Sequence, residues 1–506
     1  MMSDMPEKDP SSRVFRICQN IQDGKHCLDT SDILRLLDEE WSHLCRFLRT
    51  NLTVRRILLP LHRIRRSHPK AQSDLQTFLQ RNRSLSRIIL TSQDTEEAEW
   101  VKTFIAAISK SPSMKTVEFR RLQVNDSHPD IFLPLKDAVA LHTVTTIQVH
   151  TTTLASLLDT VQQCSQVKHW KIQGGATSID APVFSGDVSV KSMELQGQVW
   201  SAGALDSVAN ITAKNDSVRN LEIQAYVSRN DRKSDPVSAR FVSTLGESRL
   251  ETLDLHHLDW SRVSPVEIVS LARNTRLQNL ALHDVSDEQA RALLGSTFKS
   301  LEVMTISVDW VSVDTLNAAV ECMMKSASLV ELNIEGSGIP SLKFNRSLQG
   351  RHCCLLDSSF RPIQWEIIKE WALQSSLSID LSYVLRSLNE DDMIQMSYLL
   401  AECRNLVSLE LFWSSSFSSD CADTFSTALD CNISLMDVTI DKLHPSATER
   451  SLKSKSKYVA VRNRVGSLLR TPGLTTSLWP VVFDKRDLST TFLALRDGAL
   501  TEDLRQ

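Results

Sequence analysis

A short alternating apolar pattern returns about fifteen times along the chain, mostly at intervals of 23 to 32 residues. The clearest copies are Leu250-x-x-Leu253-x-Leu255, Leu277-x-x-Leu280-x-Leu282, Leu329-x-x-Leu332-x-Ile334 and Leu406-x-x-Leu409-x-Leu411. The alternation predicts a short strand, and each copy follows a segment with helical spacing. Because one such unit cannot bury its own apolar face, the pattern predicts a solenoid of stacked helix and strand units.

The repeat divides the chain into three predicted regions. We expect a flexible polar lead-in over residues 1–30, a solenoid of about fifteen units over residues 31–443, and a basic linker with a C-terminal helical cap over residues 444–506. A cap is expected because the last unit would otherwise expose an apolar face. The pattern is degraded over residues 336–376, which are either one irregular unit or an inserted loop.

Charge and composition exclude few classes of protein. The chain has 57 basic and 61 acidic residues, so its net charge of −4 indicates neither a nucleic acid nor a membrane partner. It contains no apolar run typical of a signal peptide or of a membrane span. Its ten cysteines show no CxxC spacing. We therefore expect a cytoplasmic or nuclear protein with reduced thiols.

Asparagine recurs three residues before the strand motif. Asn51, Asn82, Asn215 and Asn432 occupy this position and also lie in Asn-x-Ser/Thr sequences, which are acceptors for glycosylation. A helix that turns sharply into a strand often ends with a left-handed residue, and after glycine asparagine tolerates that conformation best. The shared position therefore favours a structural role over glycosylation.

Motifs of catalysis are missing from the sequence. It contains no GxxxxGK[ST] phosphate loop, no HExxH motif and no nucleophile elbow, and it has only 14 glycines. We therefore expect a protein that is not an enzyme and that uses no cofactor and no small-molecule substrate.

The strand pattern also predicts a binding face. If Leu253 and Leu255 point into the core, Asp254 points to the opposite face, because side chains alternate along a strand. The same phase in the other units gives the predicted partner-binding residues Glu118, Gln148, Lys171, Glu194, Glu222, Asp254, His256, His283, Asn333 and Glu410. This acidic, amide-rich face would suit a basic protein. Alternatively, it is polar only because it contacts water.

Basic residues concentrate near the N-terminus. Residues 46–87 contain eleven Lys or Arg and a single acid. The candidates for contact with an anionic partner, either RNA or an acidic protein, are Arg55, Arg56, Arg63, Arg65, Arg66 and Arg87. Phosphates would bind such a cluster by ion pairing. The alternative is a solvated end of the solenoid, partly neutralised by the acids of residues 94–99.

One group of residues has the chemistry of metal ligands. Asp254 and His256 share a strand face, and His283 has the same phase in the next unit, so their side chains would converge. Nothing beyond proximity marks them as ligands, and zinc sites normally have supporting carboxylates. We therefore predict no metal site.

Segments such as VEIVSLARNTRLQNLAL and MIQMSYLLAECRNLVSLEL contain a helix, a polar turn and a strand in that order. Over residues 31–443 the chain resembles leucine-rich repeats of the ribonuclease-inhibitor-like class. This resemblance implies a curved α/β solenoid with parallel strands on the concave face and helices on the convex face. The family often has Asn or Cys three residues after the motif, where this chain has Leu258, Val285, Ser337 or Leu443.

Proteins with this resemblance mostly act by binding other proteins. We therefore predict a non-enzymatic scaffold that binds a partner protein on its concave strand face, with no membrane partner. One alternative is binding of RNA or another polyanion through the basic N-terminal end. A second is a substrate receptor of a ubiquitin ligase, because such receptors join this repeat to an adaptor-binding helical module. Residues 31–49 would at most be a fragment of that module.

Overall fold

The computed structural model describes residues 13–24, 26–28, 33, 35–92, 94–125, 130–149, 153, 157, 160, 164–174, 190–197, 200–225, 235–336, 339–347, 350–356, 364–375, 378–385, 388–412, 417–441 and 447–469. The chain forms two compact units, Met1–Leu277 and Gln278–Gln506. None of the helices in the described residues combines the length and apolar composition of a membrane span.

Short strands and helices alternate in the first unit. Its strands are β1 (Cys27–Leu28), β2 (Arg56–Pro60), β3 (Arg87–Thr91), β4 (Thr95–Glu97), β5 (Thr116–Arg120), β6 (Gln123–Asn125), β7 (Thr143–Val149), β8 (His169–Gly174), β9 (Ser192–Gly197), β10 (Asn220–Ala225) and β11 (Thr252–His256). Its helices are α1 (Arg13–Gln22), α2 (Asp38–Leu48), α3 (Leu61–Arg66), α4 (Pro69–Arg81), α5 (Ala98–Ser109), α6 (Ala202–Lys214), α7 (Ala239–Gly246) and α8 (Pro265–Ile268), with 3-10 helices at Leu133–Asp137 and Val269–Arg273.

The main sheet of the first unit is parallel throughout. Its strand order is β1-β2-β3-β5-β7-β8-β9-β10-β11, while β4 and β6 form a separate parallel pair. Parallel strands that are sequential in the chain require crossover connections, and helices supply most of these connections here. The predicted helix and strand repeat is therefore confirmed.

The motif residues of β11 pack in the core as predicted. Leu253 and Leu255 are buried, whereas Asp254 between them is partly exposed. Leu253 pairs in register with Leu221 of β10, which is also buried. We call the side of the sheet to which Asp254 points the far face. It corresponds to the face that the sequence predicts as the binding face.

The second unit continues with strands and helices of the same kind. Its strands are β12 (Asn279–Val285), β13 (Val303–Val308), β14 (Glu331–Gly336), β15 (Ile339–Ser347), β16 (Gly350–Leu356), β17 (Ser378–Leu385), β18 (Leu406–Phe412) and β19 (Asp437–Asp441). Its helices are α9 (Asp287–Leu294), α10 (Val313–Lys325), α11 (Trp365–Gln374), α12 (Glu390–Glu402), α13 (Ser419–Cys431) and α14 (Ala447–Leu469).

One strand interrupts the parallel sheet of the second unit. The strands pair in the order β12 to β19, and β15 is antiparallel to both β14 and β16. Only two residues separate β14 from β15 and β15 from β16, so there is no room for a crossover helix between these strands. This antiparallel insertion lies within residues 336–376, where the sequence motif is degraded.

Helix α14 extends the repeat at the C-terminal side. Asn463 Nδ2 donates to the carbonyl oxygen of Leu435 at 3.0 Å, and Lys455 Nζ lies 2.5 Å from Asp430 Oδ2. The helix therefore packs against the last helix and strand repeat, which contains α13 and β19. The predicted cap over residues 444–506 lies mostly outside the described residues, since these end at 469.

The recurrent asparagines are not left-handed, which corrects the sequence-based explanation. Asn82 and Asn432 both have a φ of −75°, and Asn274, which likewise lies three residues before a strand motif, at Leu277, has a φ of −69°. Each instead accepts a hydrogen bond at Oδ1 from an amide of its own turn and donates from Nδ2 to a carbonyl of the preceding unit. Asparagine is used here because one side chain both donates and accepts.

Candidate functional site

Four charged residues form a row across the far face of β8, β9, β10 and β11. Lys171 pairs in register with Glu194, Glu194 with Glu222, and Glu222 with Asp254. All four are partly exposed, and parallel strands hold such neighbours about 4.8 Å apart. We call these four residues the acidic row.

A second row of polar residues lies beside the acidic row. Gln173, Gln196, Gln224 and His256 pair in register across the same four strands, and all are partly exposed. The two rows together form a polar surface on backbone that is fixed by parallel pairing.

The charges within the acidic row are unevenly compensated. Lys171 Nζ forms an ion pair with Glu194, and His256 Nε2 lies 2.7 Å from Asp254 Oδ1. Glu222 lies between Glu194 and Asp254 and forms no ion pair within the described part of the chain. With three carboxylates against one ammonium group, the row is acidic overall.

Gln148 does not lie on this surface, contrary to the sequence prediction. The residue of β7 that pairs with Glu118 and Lys171 is Thr145. Gln148 has a φ of 54° and lies at a register shift, where its Oε1 accepts a hydrogen bond from Arg121 Nε at 3.0 Å. The side chain therefore lies at an irregularity of strand pairing near the end of β7.

The error arose because the motif of this unit begins earlier than its most apolar stretch suggests. Leu141 and Val144 occupy the first two core positions and are buried, whereas Ile147 is partly exposed. Thr146 occupies the third core position and is also buried. Because Thr146 is polar, the sequence did not show that its position is in the core. Taking Leu141 as the first motif residue would have predicted the correct phase.

Glu118 was also predicted on the exposed face, and the structure buries it completely. Its side chain is 0% exposed and forms ion pairs with Arg87 through Oε2 and with Arg120 through Oε1. Leu58 and Ile89, at the same phase on β2 and β3, are buried too. On the far face, the row of positions in register with Glu118 is therefore buried in the N-terminal strands, and it becomes polar and partly exposed from β8 onward.

The N-terminal arginines differ in how far they are neutralised. Arg65 Nε lies 3.7 Å from Glu96 Oε2, and Arg66 Nη2 lies 3.0 Å from Asp94 Oδ2. The acidic partners of Arg65 and Arg66 agree with the alternative that the N-terminal end is solvated and partly neutralised. Arg63 is partly exposed on the same helix α3.

The arginines of the first strands are arranged differently. Arg56 and Arg87 pair in register on β2 and β3, as the sequence phase predicts. Arg55, the neighbour of Arg56, is exposed. Two guanidinium groups therefore lie side by side on adjacent strands of the far face.

In the second unit, the predicted residues His283, Asn333 and Glu410 are partly exposed. Asn333 Nδ2 donates to Thr305 Oγ1 at 3.1 Å and to Glu331 Oε1 at 3.0 Å. Its amide group therefore forms hydrogen bonds with other side chains of the sheet. His283 belongs to a different unit from Asp254 and His256, so neither unit by itself holds the three-ligand group considered from the sequence. The prediction of no metal site stays a prediction.

Mostly parallel, in-register strands that bury the positions of a Leu-x-x-Leu-x-Leu pattern, and that are mostly connected by helices, define a leucine-rich-repeat fold. No family model matches the chain, and no curated protein matches it.

Solved structures with some similarity include a protein from Bacteroides fragilis (14% identity, TM-score 0.29, covering 44% of this chain and 66% of that one). Others are the Rad7 and Elc1 complex in yeast (14% identity, TM-score 0.29, covering 85% of each chain) and the TLR13–ssRNA13 complex (13% identity, TM-score 0.36, covering 77% of this chain and 52% of that one). At these TM-scores the similarities carry no argument about function.

Proposed function

We propose that this protein is a non-enzymatic scaffold that binds a basic surface of a partner protein through the acidic row, Lys171, Glu194, Glu222 and Asp254. The observation that carries the proposal is the in-register pairing of three partly exposed carboxylates on β9, β10 and β11. We further propose that the repeats belong to the ribonuclease-inhibitor-like class, because full helices such as α6 alternate with the strands.

Like charges directly opposite each other on neighbouring strands destabilise a sheet. Glu222 faces Glu194 on one side and Asp254 on the other, so the row loses stability that neutral or alternating residues would keep. A face that is polar only because it contacts water has no need of this arrangement. Lysine or arginine side chains of a partner would relieve the repulsion, which favours binding as the role of the row.

The backbone also suits recognition. Parallel pairing fixes the positions of the acidic row, so binding orders few groups of the scaffold itself. The adjacent amides of Gln196 and Gln224 supply both donors and acceptors for a partner's polar groups. Electrostatic complementarity of this kind raises association rates and selects among partners.

The test is a charge reversal with a matched control. We expect the triple variant Glu194→Lys, Glu222→Lys and Asp254→Lys to reduce capture of the partner by about tenfold or more, because several charge pairs change sign together. The control reverses three exposed acids outside the strands, Glu247, Glu370 and Asp423. Quantitative mass spectrometry of affinity-purified complexes compares the variants, and circular dichroism verifies folding. Equal capture by all three proteins would contradict the proposal.

The same purification separates the two alternatives. Nucleic acid that co-purifies and dissociates with salt would favour binding of RNA through the basic N-terminal end. Stoichiometric recovery of a ligase adaptor would favour a substrate receptor. A defined protein that is lost only on reversal of the acidic row supports the scaffold proposed above.

A further inference from the structure

We propose that Arg87 and Arg120, positioned by the buried Glu118, form a binding site for a phosphate group on a partner protein. Glu118 lies on the far face of β5, with Arg87 on the neighbouring strand β3 and Arg120 two residues further along β5. Each oxygen of its carboxylate pairs with one of the two guanidinium groups. The two arginines are thereby held on the same patch of the sheet. The site lies away from the acidic row and does not depend on the function proposed for that row.

The arginines keep donors that Glu118 does not use. A guanidinium group has five N–H donors, and Glu118 engages one nitrogen of each arginine. The Arg87 side chain is 34% exposed and that of Arg120 is 36% exposed, whereas that of Glu118 is 0% exposed. The buried Nε of Arg87 has no hydrogen-bond partner in the described residues. Both arginine side chains are therefore partly exposed and keep N–H donors that Glu118 does not engage.

The patch carries a net positive charge. Arg56 pairs in register with Arg87 and adds a third guanidinium group. Glu118 is the only acid among the far-face positions of β2, β3, β5 and β7. Arg87, Arg120 and Glu118 by themselves leave a net charge of +1.

These features fit a phosphate monoester best. Such a group carries about −1.5 to −2 charges near neutral pH and has three strong acceptor oxygens, which suit a positively charged patch with spare donors. Arginine binds phosphate with two parallel hydrogen bonds. The far face of these strands has no aromatic side chain on which the bases of single-stranded RNA would stack. A phosphorylated residue of a partner protein is therefore favoured over RNA.

Glu118 has a positioning role that simple electrostatics does not predict. If bulk charge alone attracted the anion, removing the carboxylate of Glu118 would strengthen binding. If Glu118 fixes the geometry of Arg87 and Arg120, Glu118→Gln would weaken binding, because the guanidinium groups would lose their shared anchor. The two explanations predict effects of opposite sign.

The experiment is isothermal titration of the full chain with a phosphoserine peptide. We expect saturable binding that Arg87→Lys, Arg120→Lys and Glu118→Gln each weaken by about fivefold or more, since lysine retains the charge but not the planar fork. Arg66→Gln removes an exposed arginine of α3 and serves as the control, with unchanged affinity expected. Thermal unfolding verifies that each variant is folded. The two lysine variants keep Glu118 and test the site even if Glu118→Gln does not fold.

Several results would overturn the proposal. These are no saturable binding by the unmodified chain, equal affinity for the unphosphorylated peptide, unchanged affinity of the lysine variants, or tighter binding by folded Glu118→Gln. The same titration is carried out with a single-stranded RNA oligonucleotide, to compare its affinity with that of the phosphoserine peptide. If it binds more tightly than the phosphoserine peptide and depends on the same arginines, the ligand is a nucleic acid and the assignment to a protein partner is wrong.

Discussion

At the scale of single residues, Asn82 and Asn432 connect successive repeats. Asn82 Nδ2 donates to the carbonyl of Val54 at 3.1 Å, and its Oδ1 accepts from the amide of Leu85 at 2.9 Å. Asn432 makes the same two kinds of bond with Cys403 and with its own turn. Both side chains are almost completely buried, so water does not replace these bonds.

We expect Asn82→Ala and Asn432→Ala each to lower the free energy of unfolding by about 2–3 kcal/mol. The substitution leaves buried amides and carbonyls without partners, and each such group costs about 1–3 kcal/mol. Urea unfolding followed by circular dichroism measures the effect. Asn220→Ala, at a partly exposed strand position, should change the stability by less than about 0.5 kcal/mol. Equal effects at all three positions would contradict the role of these asparagines as connectors.

The cysteines should differ in reactivity according to burial. Desolvation by burial raises the pKa of Cys18 to about 12 and those of Cys164 and Cys322 to about 11. A thiol with a raised pKa stays protonated near pH 8, and only the thiolate reacts. We expect iodoacetamide to modify the exposed Cys27 and Cys431 at least about tenfold faster than these three, as measured by peptide mass spectrometry.

Denaturant should remove this difference between the cysteines. The three buried thiols would then lose the desolvation that raises their pKa values and become as accessible as Cys27 and Cys431. Modification of Cys322 in the folded protein at the rate of Cys27 would contradict its buried position.

At the scale of elements, acidic side chains link the start of one helix to the start of the next. The carboxylate of Asp287 in α9 accepts from the amide of Ser312 at 2.9 Å, from its hydroxyl at 2.8 Å, and from Thr315 Oγ1 at 2.5 Å. Asp206 of α6 accepts in the same way from Ser238, the residue that caps α7, at 2.7 Å. A negative charge near a helix N-terminus is stabilising, so each link supports two units at once.

We expect Asp287→Ala to lower the free energy of unfolding by about 2–3 kcal/mol, because three hydrogen bonds to a charged acceptor are lost and Ser312 and Thr315 lose their shared partner. Asp314→Ala is the control. It removes an exposed acid of α10 whose pairing with Arg291 spans 3.5 Å, and it should cost less than about 1 kcal/mol. Chemical unfolding compares the two variants. A smaller loss for Asp287→Ala than for Asp314→Ala would contradict the proposed link.

The helices and strands were predictable where the apolar periodicity was strong. The predictions failed where a polar residue occupies a core position or where the motif is degraded. The motif at Leu253 and Leu255 gave both the strand β11 and its buried face. In β7 the buried Thr146 occupies an apolar position, so the phase predicted from Ile147 was wrong. Antiparallel β15 was not predictable from the repeat, because the motif is degraded over these residues and no helix separates β14, β15 and β16.

At the scale of the whole molecule, the sequence predicted the repeating architecture and most of the polar rows. It did not predict that the burial of far-face side chains differs along the first unit. Glu118 has the same phase as Glu222, yet one is completely buried between arginines and the other is partly exposed. Alternation along a strand indicates to which face a side chain points, but burial depends on what packs over that face. This difference separates the site at Arg87 and Arg120 from the acidic row.

The central claim is that the acidic row contacts a partner protein, and site-specific photocrosslinking tests it most directly. A photoreactive amino acid replaces Glu222 in one variant and the exposed Glu247, outside the strands, in another. After irradiation in cells, we expect a covalent adduct with one defined protein from position 222 and none with that protein from position 247. If position 247 forms an adduct with a defined protein and position 222 forms none, the account is contradicted.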